Sequence, residues 1–128
     1  MPRHRVAVIA AVILALALPA GATARFTRFQ SPSGNIACAY FKHGGPGPFI
    51  RCDVLSLNDA GFFLRRHGKA KRHHVTDTVA DPNARVLRYG HKRRFGRYTC
   101  KSRRSGLTCK NRRNGHGFKL SREKQKVF

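Results

Sequence analysis

Residues 98–110 of this chain are YTCKSRRSGLTCK, and they predict a β-hairpin. On either side of a serine–glycine pair, residues suited to a core alternate with residues suited to solvent. If residues 104–105 form a two-residue turn, Cys100 directly faces Cys109, as a cross-strand disulfide requires. A bulge at Gly106 would shift that register.

A second pair of cysteines has the same arrangement. Cys38 and Cys52 each lie within an alternating strand-like stretch, and residues 43–48 between them are dense in turn formers. Four cysteines allow three pairings, and this pattern favours the local one, Cys38–Cys52 with Cys100–Cys109. Each bridge would contribute about 2–3 kcal/mol. Four free thiols or a zinc site are the alternatives, although zinc sites usually place two ligands only two to four residues apart.

Short strand-like segments recur along the rest of the chain, separated by turn signals. We therefore predict an all-β fold, a small disulfide-stapled β-sandwich or barrel-like domain. Ser121 could cap one short C-terminal helical turn. The charged run Arg65–Arg72 has nothing to bury and is predicted to be a solvated loop. The predicted strands are 26–30, 36–41, 49–54, 62–66, 73–78, 86–89, 98–101, 107–110 and 117–120.

The first 24 residues have the three parts of a secretory signal peptide. Two arginines supply positive charge, residues 6–18 are uninterruptedly apolar, and Ala22-Thr23-Ala24 is a small-x-small cleavage site. A transmembrane anchor is the alternative, but a spanning helix needs about 20 apolar residues. We predict cleavage after Ala24, which leaves a single secreted domain, residues 25–128. Its expected location is extracellular, with the cell wall as a place of association.

The charge of the chain is its main functional signal. It has 27 lysines and arginines against five carboxylates, a net charge of +22. Such a surface binds polyanions through counterion release. We expect anionic cell-wall polymers or an acidic lipid surface as partners, with non-specific nucleic acid as a further option and no specific small molecule. An arginine-rich proteome or an acidic habitat would explain the same charge without a partner. The predicted polyanion-binding residues are Arg93, Arg94, Arg97, Lys101, Arg103, Lys110, Arg112 and Lys119.

The chain offers little for catalysis. Its carboxylates are scattered rather than paired, which disfavours a two-carboxylate glycosidase, and two disulfides would leave no thiol nucleophile. A nucleic-acid hydrolase could be built around His116, with His91 and Lys119 for acid–base chemistry at a phosphate. A structural histidine in a tight turn is the simpler explanation of His116. The adjacent histidines 73 and 74 would face opposite sides of a strand, so no metal and no cofactor are predicted.

Several motifs, in order, resemble a family of small secreted actinobacterial proteins classed only as a domain of unknown function. They are FQSPSGNIAC at 29–38, RCDV at 51–54, VLRYG at 86–90 and GHGFKLSRE at 115–123, together with the hairpin above. Members often carry six cysteines, whereas no cysteine lies here between Cys52 and Cys100. The resemblance implies no activity, because the family has none to transfer.

Two functional hypotheses remain. The first is a secreted protein of unknown biochemical activity that serves as a non-enzymatic binding or structural domain and associates electrostatically with anionic cell-envelope polymers. The alternative is a small secreted basic hydrolase acting on nucleic acid, with His116 essential. A membrane-active cationic protein is disfavoured because no amphipathic helix is evident. We expect a monomer.

Overall fold

A computed structural model describes residues 10–13, 26–43, 45 and 47–128, so most of the predicted signal peptide lies outside the described residues. The described chain is all-β, with one 3-10 helix at Leu55–Leu57. Its strands are β1 (Phe26–Gln30), β2 (Ile36–Phe41), β3 (Phe49–Val54), β4 (Ala60–Leu64), β5 (Lys71–His74), β6 (Arg85–Val86), β7 (Lys92–Phe95), β8 (Tyr98–Arg103), β9 (Gly106–Asn111), β10 (Gly117–Leu120) and β11 (Gln125–Val127). Among the described residues, no helix is long and apolar enough to cross a membrane.

The strands form two sheets. Sheet A has the order β5-β4-β3-β2-β1-β6, and sheet B has the order β11-β10-β9-β8-β7. Neighbouring strands are antiparallel except β1 and β6, which are parallel. The predicted all-β fold is therefore confirmed, and the described strands form two sheets.

One hydrophobic core lies between the two sheets and holds both disulfides. Cys38 pairs with Cys52 across β2 and β3, and Cys100 pairs with Cys109 across β8 and β9, each with a Cα–Cα distance of 4.1 Å. These are the local pairings that the sequence favoured. Every other residue of each inner strand points into this core, which follows from the two-residue period of a strand. Large core side chains include Phe29, Ile50, Phe62 and Leu64 of sheet A and Tyr98, Leu107, Phe118 and Leu120 of sheet B.

The outer face of sheet A is partly covered by residues 75–84. Val79 packs there against two alanines of β2. Beside it, Arg51 of β3 is only 7% exposed. Its guanidinium donates to both carboxylate oxygens of Asp53, at 2.8 and 3.1 Å, and to Oδ1 of Asp77 at 3.0 Å. This buried network fastens the covering segment to the sheet.

Several secondary-structure predictions need correction. The strands predicted at 62–66, 73–78 and 86–89 lie instead at Ala60–Leu64, Lys71–His74 and Arg85–Val86. The helical turn after Ser121 is wrong, because the Lys124 N–H donates to Ser121 Oγ and the chain turns back as β11 beside β10. The run 65–72 is a loop only to residue 70, since Lys71 already pairs with Phe63 in the sheet. Strand β7 was not predicted, because three of its four residues are cationic.

Candidate polyanion-binding surface

The outer face of sheet B is covered with cationic side chains. Because Cys100 and Cys109 point into the core, their neighbours along β8 and β9 point outward. Strands β7 and β10 add cations on the same side. We call this surface the basic face and define it by the lysines and arginines that line it, which are Lys92, Arg94, Lys101, Arg103, Lys110, Arg112 and Lys119.

The strand register places like charges against each other on this surface. Lys92 of β7 lies directly opposite Lys101 of β8. At the other side of the sheet, Lys119 of β10 lies opposite Lys126 of β11. Neighbouring strands are about 4.8 Å apart, and like charges directly opposite one another destabilise a sheet. The basic face therefore costs stability when no anion is bound to it.

The hairpin that carries the centre of the basic face has the register expected from its sequence. Arg103 pairs with Gly106, so residues 104–105 form the two-residue turn, and Cys100 pairs with Cys109. The Arg112 N–H donates to the carbonyl of Arg97 at 2.9 Å, which extends the same register beyond the strands. The disulfide thus locks the alignment that keeps these cations side by side.

The basic face encloses a shallow trough of about 560 Å³. Besides the cations, its lining consists of Thr99, Thr108 and Ser105, with no carboxylate and no aromatic or aliphatic side chain. The hydroxyl of Thr99 is buried and has no hydrogen-bond partner among the described residues. The lining therefore consists of cationic and hydroxyl-bearing residues, with no carboxylate that could neutralise the cations.

Six of the eight predicted polyanion-binding residues meet on the basic face, and two do not. Arg93 lies opposite Cys100 and so faces the other way, with its guanidinium 4.9 Å from the ring centroid of Phe95. Burial, helped by the charge of Arg85, lowers the pKa of Arg93. Arg97 is half-buried and does not line the trough.

Lys92 belongs to the basic face but is not among the polyanion-binding residues predicted from the sequence. Its signal was the alternation in residues 92–95, where outward cations at 92 and 94 alternate with Arg93 and the buried Phe95. A run of three cations at 92–94 obscured that period. The run of cations at 92–94 therefore explains why neither strand β7 nor the role of Lys92 in the basic face was predicted.

The residues of the hydrolase hypothesis are spread over sheet B. The His91 carbonyl accepts from the Ser102 N–H, near the β8–β9 turn. The His116 carbonyl accepts from the Asn111 N–H, at the opposite end of β9. The two histidines therefore lie at opposite ends of the sheet. In the parts of the chain that are described, no three His, Cys, Asp or Glu side chains form a group that could hold a metal ion.

Comparison with known protein families identifies a match for this chain. The model of a family described as a family of unknown function (DUF6636) matches residues 50–128, which is more than half of the chain. This confirms the predicted resemblance to a family of unknown function. No curated protein and no solved structure matches the chain.

Proposed function

This chain belongs to the family of unknown function DUF6636, and we propose that it is a secreted, non-enzymatic domain that binds anionic polymers of the cell envelope on its basic face. The observation that carries the proposal is the array of seven lysines and arginines across four adjacent strands, with no carboxylate among them. Residues 92–120 as a whole contain no aspartate or glutamate.

The energetics of the face support an anionic partner. Opposed cations such as Lys92 and Lys101 repel each other in the free protein. A polymer that places negative groups between them removes this repulsion and releases its own counterions. Binding and stability are therefore coupled, and the partner should stabilise the fold by mass action.

The lining of the trough favours a polymer without bases over nucleic acid or membrane. Binding of single-stranded nucleic acid usually uses aromatic side chains on which bases stack, and none lines the trough. Membrane-surface binding combines cations with apolar side chains that enter the bilayer, and the lining has none of these either. Anionic cell-wall polymers need only the cations and hydroxyls that are present.

Two disulfides are typical of an oxidising compartment, and this supports export. We expect the signal peptide to be cleaved after Ala24, so that the secreted protein begins at Arg25. N-terminal sequencing and intact mass of the protein from culture medium would check this. An intact N-terminus in the membrane fraction would contradict the proposed secretion.

The test of the proposed function is retention of the purified, oxidised protein on three ligands across a salt titration. The ligands are purified anionic wall polymer, anionic liposomes and DNA. We expect retention on wall polymer to persist at about 0.15 M salt, the physiological ionic strength, while liposomes and DNA release the protein at lower salt. Release from all three ligands at the same salt concentration would contradict the proposal, because binding would then depend on the net charge of the protein and not on the kind of polymer.

A matched pair of variants separates the basic face from the net charge. Lys101→Ala/Lys110→Ala removes two cations from the face, whereas Lys69→Ala/Arg88→Ala removes two exposed cations elsewhere. The first variant should make the slope of log affinity against log salt shallower by about one for each cation removed. The second should leave it close to that of the unaltered protein. Equal effects of the two variants would refute a role for this face.

A further inference from the structure

A second polar surface lies at the end of the sandwich where both sheets meet. The β1–β2 turn of sheet A approaches the start of β9 and the turn before β11 in sheet B, and a cleft of about 180 Å³ opens between them. We call it the end cleft. The residues that line it include Asn35, Ser102, Arg103, Arg104, Arg122 and Glu123.

Two residues that line this cleft each have a buried side-chain atom without a hydrogen-bond partner. Ser102 is 1% exposed and Asn35 is 9% exposed. Within the described residues, neither Ser102 Oγ nor Asn35 Nδ2 has a hydrogen-bond partner. An unsatisfied buried donor costs about 1–3 kcal/mol, so a fold that retains two of them in one cleft points to a ligand that accepts from them.

Both residues are held in place by other hydrogen bonds. Oδ1 of Asn35 accepts the Ser56 N–H at 3.0 Å, which fixes the orientation of the amide. The backbone of Ser102 donates to the His91 carbonyl at 3.0 Å and accepts from the Gly90 N–H at 2.8 Å. The Asn35 amide and the Ser102 backbone therefore have fixed positions before any ligand arrives.

The chemistry of the cleft selects an oxyanion. An amide N–H₂ and a hydroxyl can both donate, so the ligand must supply acceptor oxygens. Three arginines, Arg103, Arg104 and Arg122, line the cleft against a single carboxylate, Glu123. Hydrogen bonds to charged acceptors are about twice as strong as neutral ones. Drug-sized ligands occupy about 300–1,000 Å³, so this cleft suits a smaller group.

We propose that the end cleft binds a small oxyanion, a phosphate or carboxylate group, with Asn35 and Ser102 as donors at its base and the arginines as counter-charges. The group could be free or carried on a small sugar, and the test distinguishes these sources. The proposal does not rest on the function assigned to the basic face. It departs from the expectation that the chain has no specific small-molecule ligand.

The test is a titration of the isotope-labelled, oxidised protein with inorganic phosphate, glucuronate and neutral glucose at constant ionic strength, followed by NMR. We expect saturable shifts of the Asn35 side-chain amide and the Ser102 backbone amide with one or both anions, and none with glucose. Saturation with glucuronate but not with phosphate would identify a sugar acid as the source of the group. Saturation with phosphate but not with glucuronate would identify a free or esterified phosphate. Shifts confined to Thr99 and Lys110, or no saturable shift with either anion, would overturn the proposal.

Two variants make the test specific. Ser102→Ala should weaken anion binding about tenfold, the loss expected for one hydrogen bond to a charged group, and should raise the melting temperature because it removes an unpartnered buried hydroxyl. Asn35→Asp keeps the acceptor for Ser56 but replaces the donor with a negative charge, so binding should be lost. Thr76→Ala, an exposed hydroxyl outside both surfaces, is the control and should change neither quantity. A melting temperature that rises without loss of binding in Ser102→Ala would overturn the assigned role of Ser102.

Discussion

Arg51 and Asp53 form a bidentate ion pair on the outer face of sheet A, and neither residue is more than 7% exposed. Burial acts to lower the pKa of Arg51, but its hydrogen bonds to Asp53 and Asp77 outweigh burial and raise it. The sequence displays these residues two positions apart, where a strand places both on one face. The third member, Asp77, is 26 positions from Arg51, and no local pattern predicts that contact.

Arg51→Met should strongly destabilise the protein. The substitution leaves the carboxylate of Asp53 buried without its counter-charge, and breaking a buried pair in this way typically costs about 3–5 kcal/mol. Urea unfolding of the oxidised protein would measure the loss. Asp77→Asn is the matched control, because the Asp77 side chain is 78% exposed and its replacement should cost under about 1 kcal/mol. Equal losses in the two variants would contradict the importance of the buried pair.

Tyr98 provides a second test at the residue scale. Its ring is fully buried, and its hydroxyl donates to the Pro48 carbonyl at 2.6 Å. Tyr98→Phe should cost about 1–2 kcal/mol, because the carbonyl loses its partner. Burial also raises the pKa of Tyr98, so above about pH 10 the unfolded state ionises first and stability falls. The stability difference between the two proteins should shrink as pH rises through that range, and a difference independent of pH would contradict the assignment.

At the element scale, the sequence predicted the segments whose alternation was uninterrupted. Strands β1, β2, β3 and β10 have the predicted bounds, and the β8–β9 hairpin has the predicted turn. The predictions failed where charge hid the period, as in β7, and at β11, a three-residue segment that pairs with the preceding β10 and was taken for part of a helical turn. The basic face could be predicted because it depends on a local hairpin. The end cleft could not, because it joins turns from both sheets.

The disulfide of the β8–β9 hairpin should matter most at low salt. Cys100→Ala/Cys109→Ala should lower the free energy of unfolding by about 2–3 kcal/mol, and by more at low ionic strength, since unscreened cations then push the strands apart. Cys38→Ala/Cys52→Ala is the control, because its strands carry few like charges, and its cost should vary less with salt. Thermal unfolding at several salt concentrations would compare them. A greater salt dependence in the control would be inconsistent with repulsion on the basic face.

At the scale of the whole molecule, the charge is divided unevenly between the two sheets. Four of the five carboxylates lie in residues 53–81, in sheet A and the segment that covers it. Each of these four lies within 4.0 Å of an arginine or histidine partner. Among the described residues, the cations on the basic face of sheet B form no salt bridge with a carboxylate. The affinity for polyanions stays a prediction from the net charge, and the strand register shows which side of the molecule carries the array of cations.

The most direct test of the central claim is to map where an anionic wall polymer contacts the protein. The measurement is amide chemical-shift mapping of the oxidised, isotope-labelled protein titrated with purified polymer at about 0.15 M salt. We predict that the largest shifts fall in Thr99–Arg103 and Thr108–Arg112, with smaller shifts in the basic loop at residues 65–70. Shifts spread evenly over all basic segments, or largest in that loop, would contradict the claim that the basic face is the binding surface.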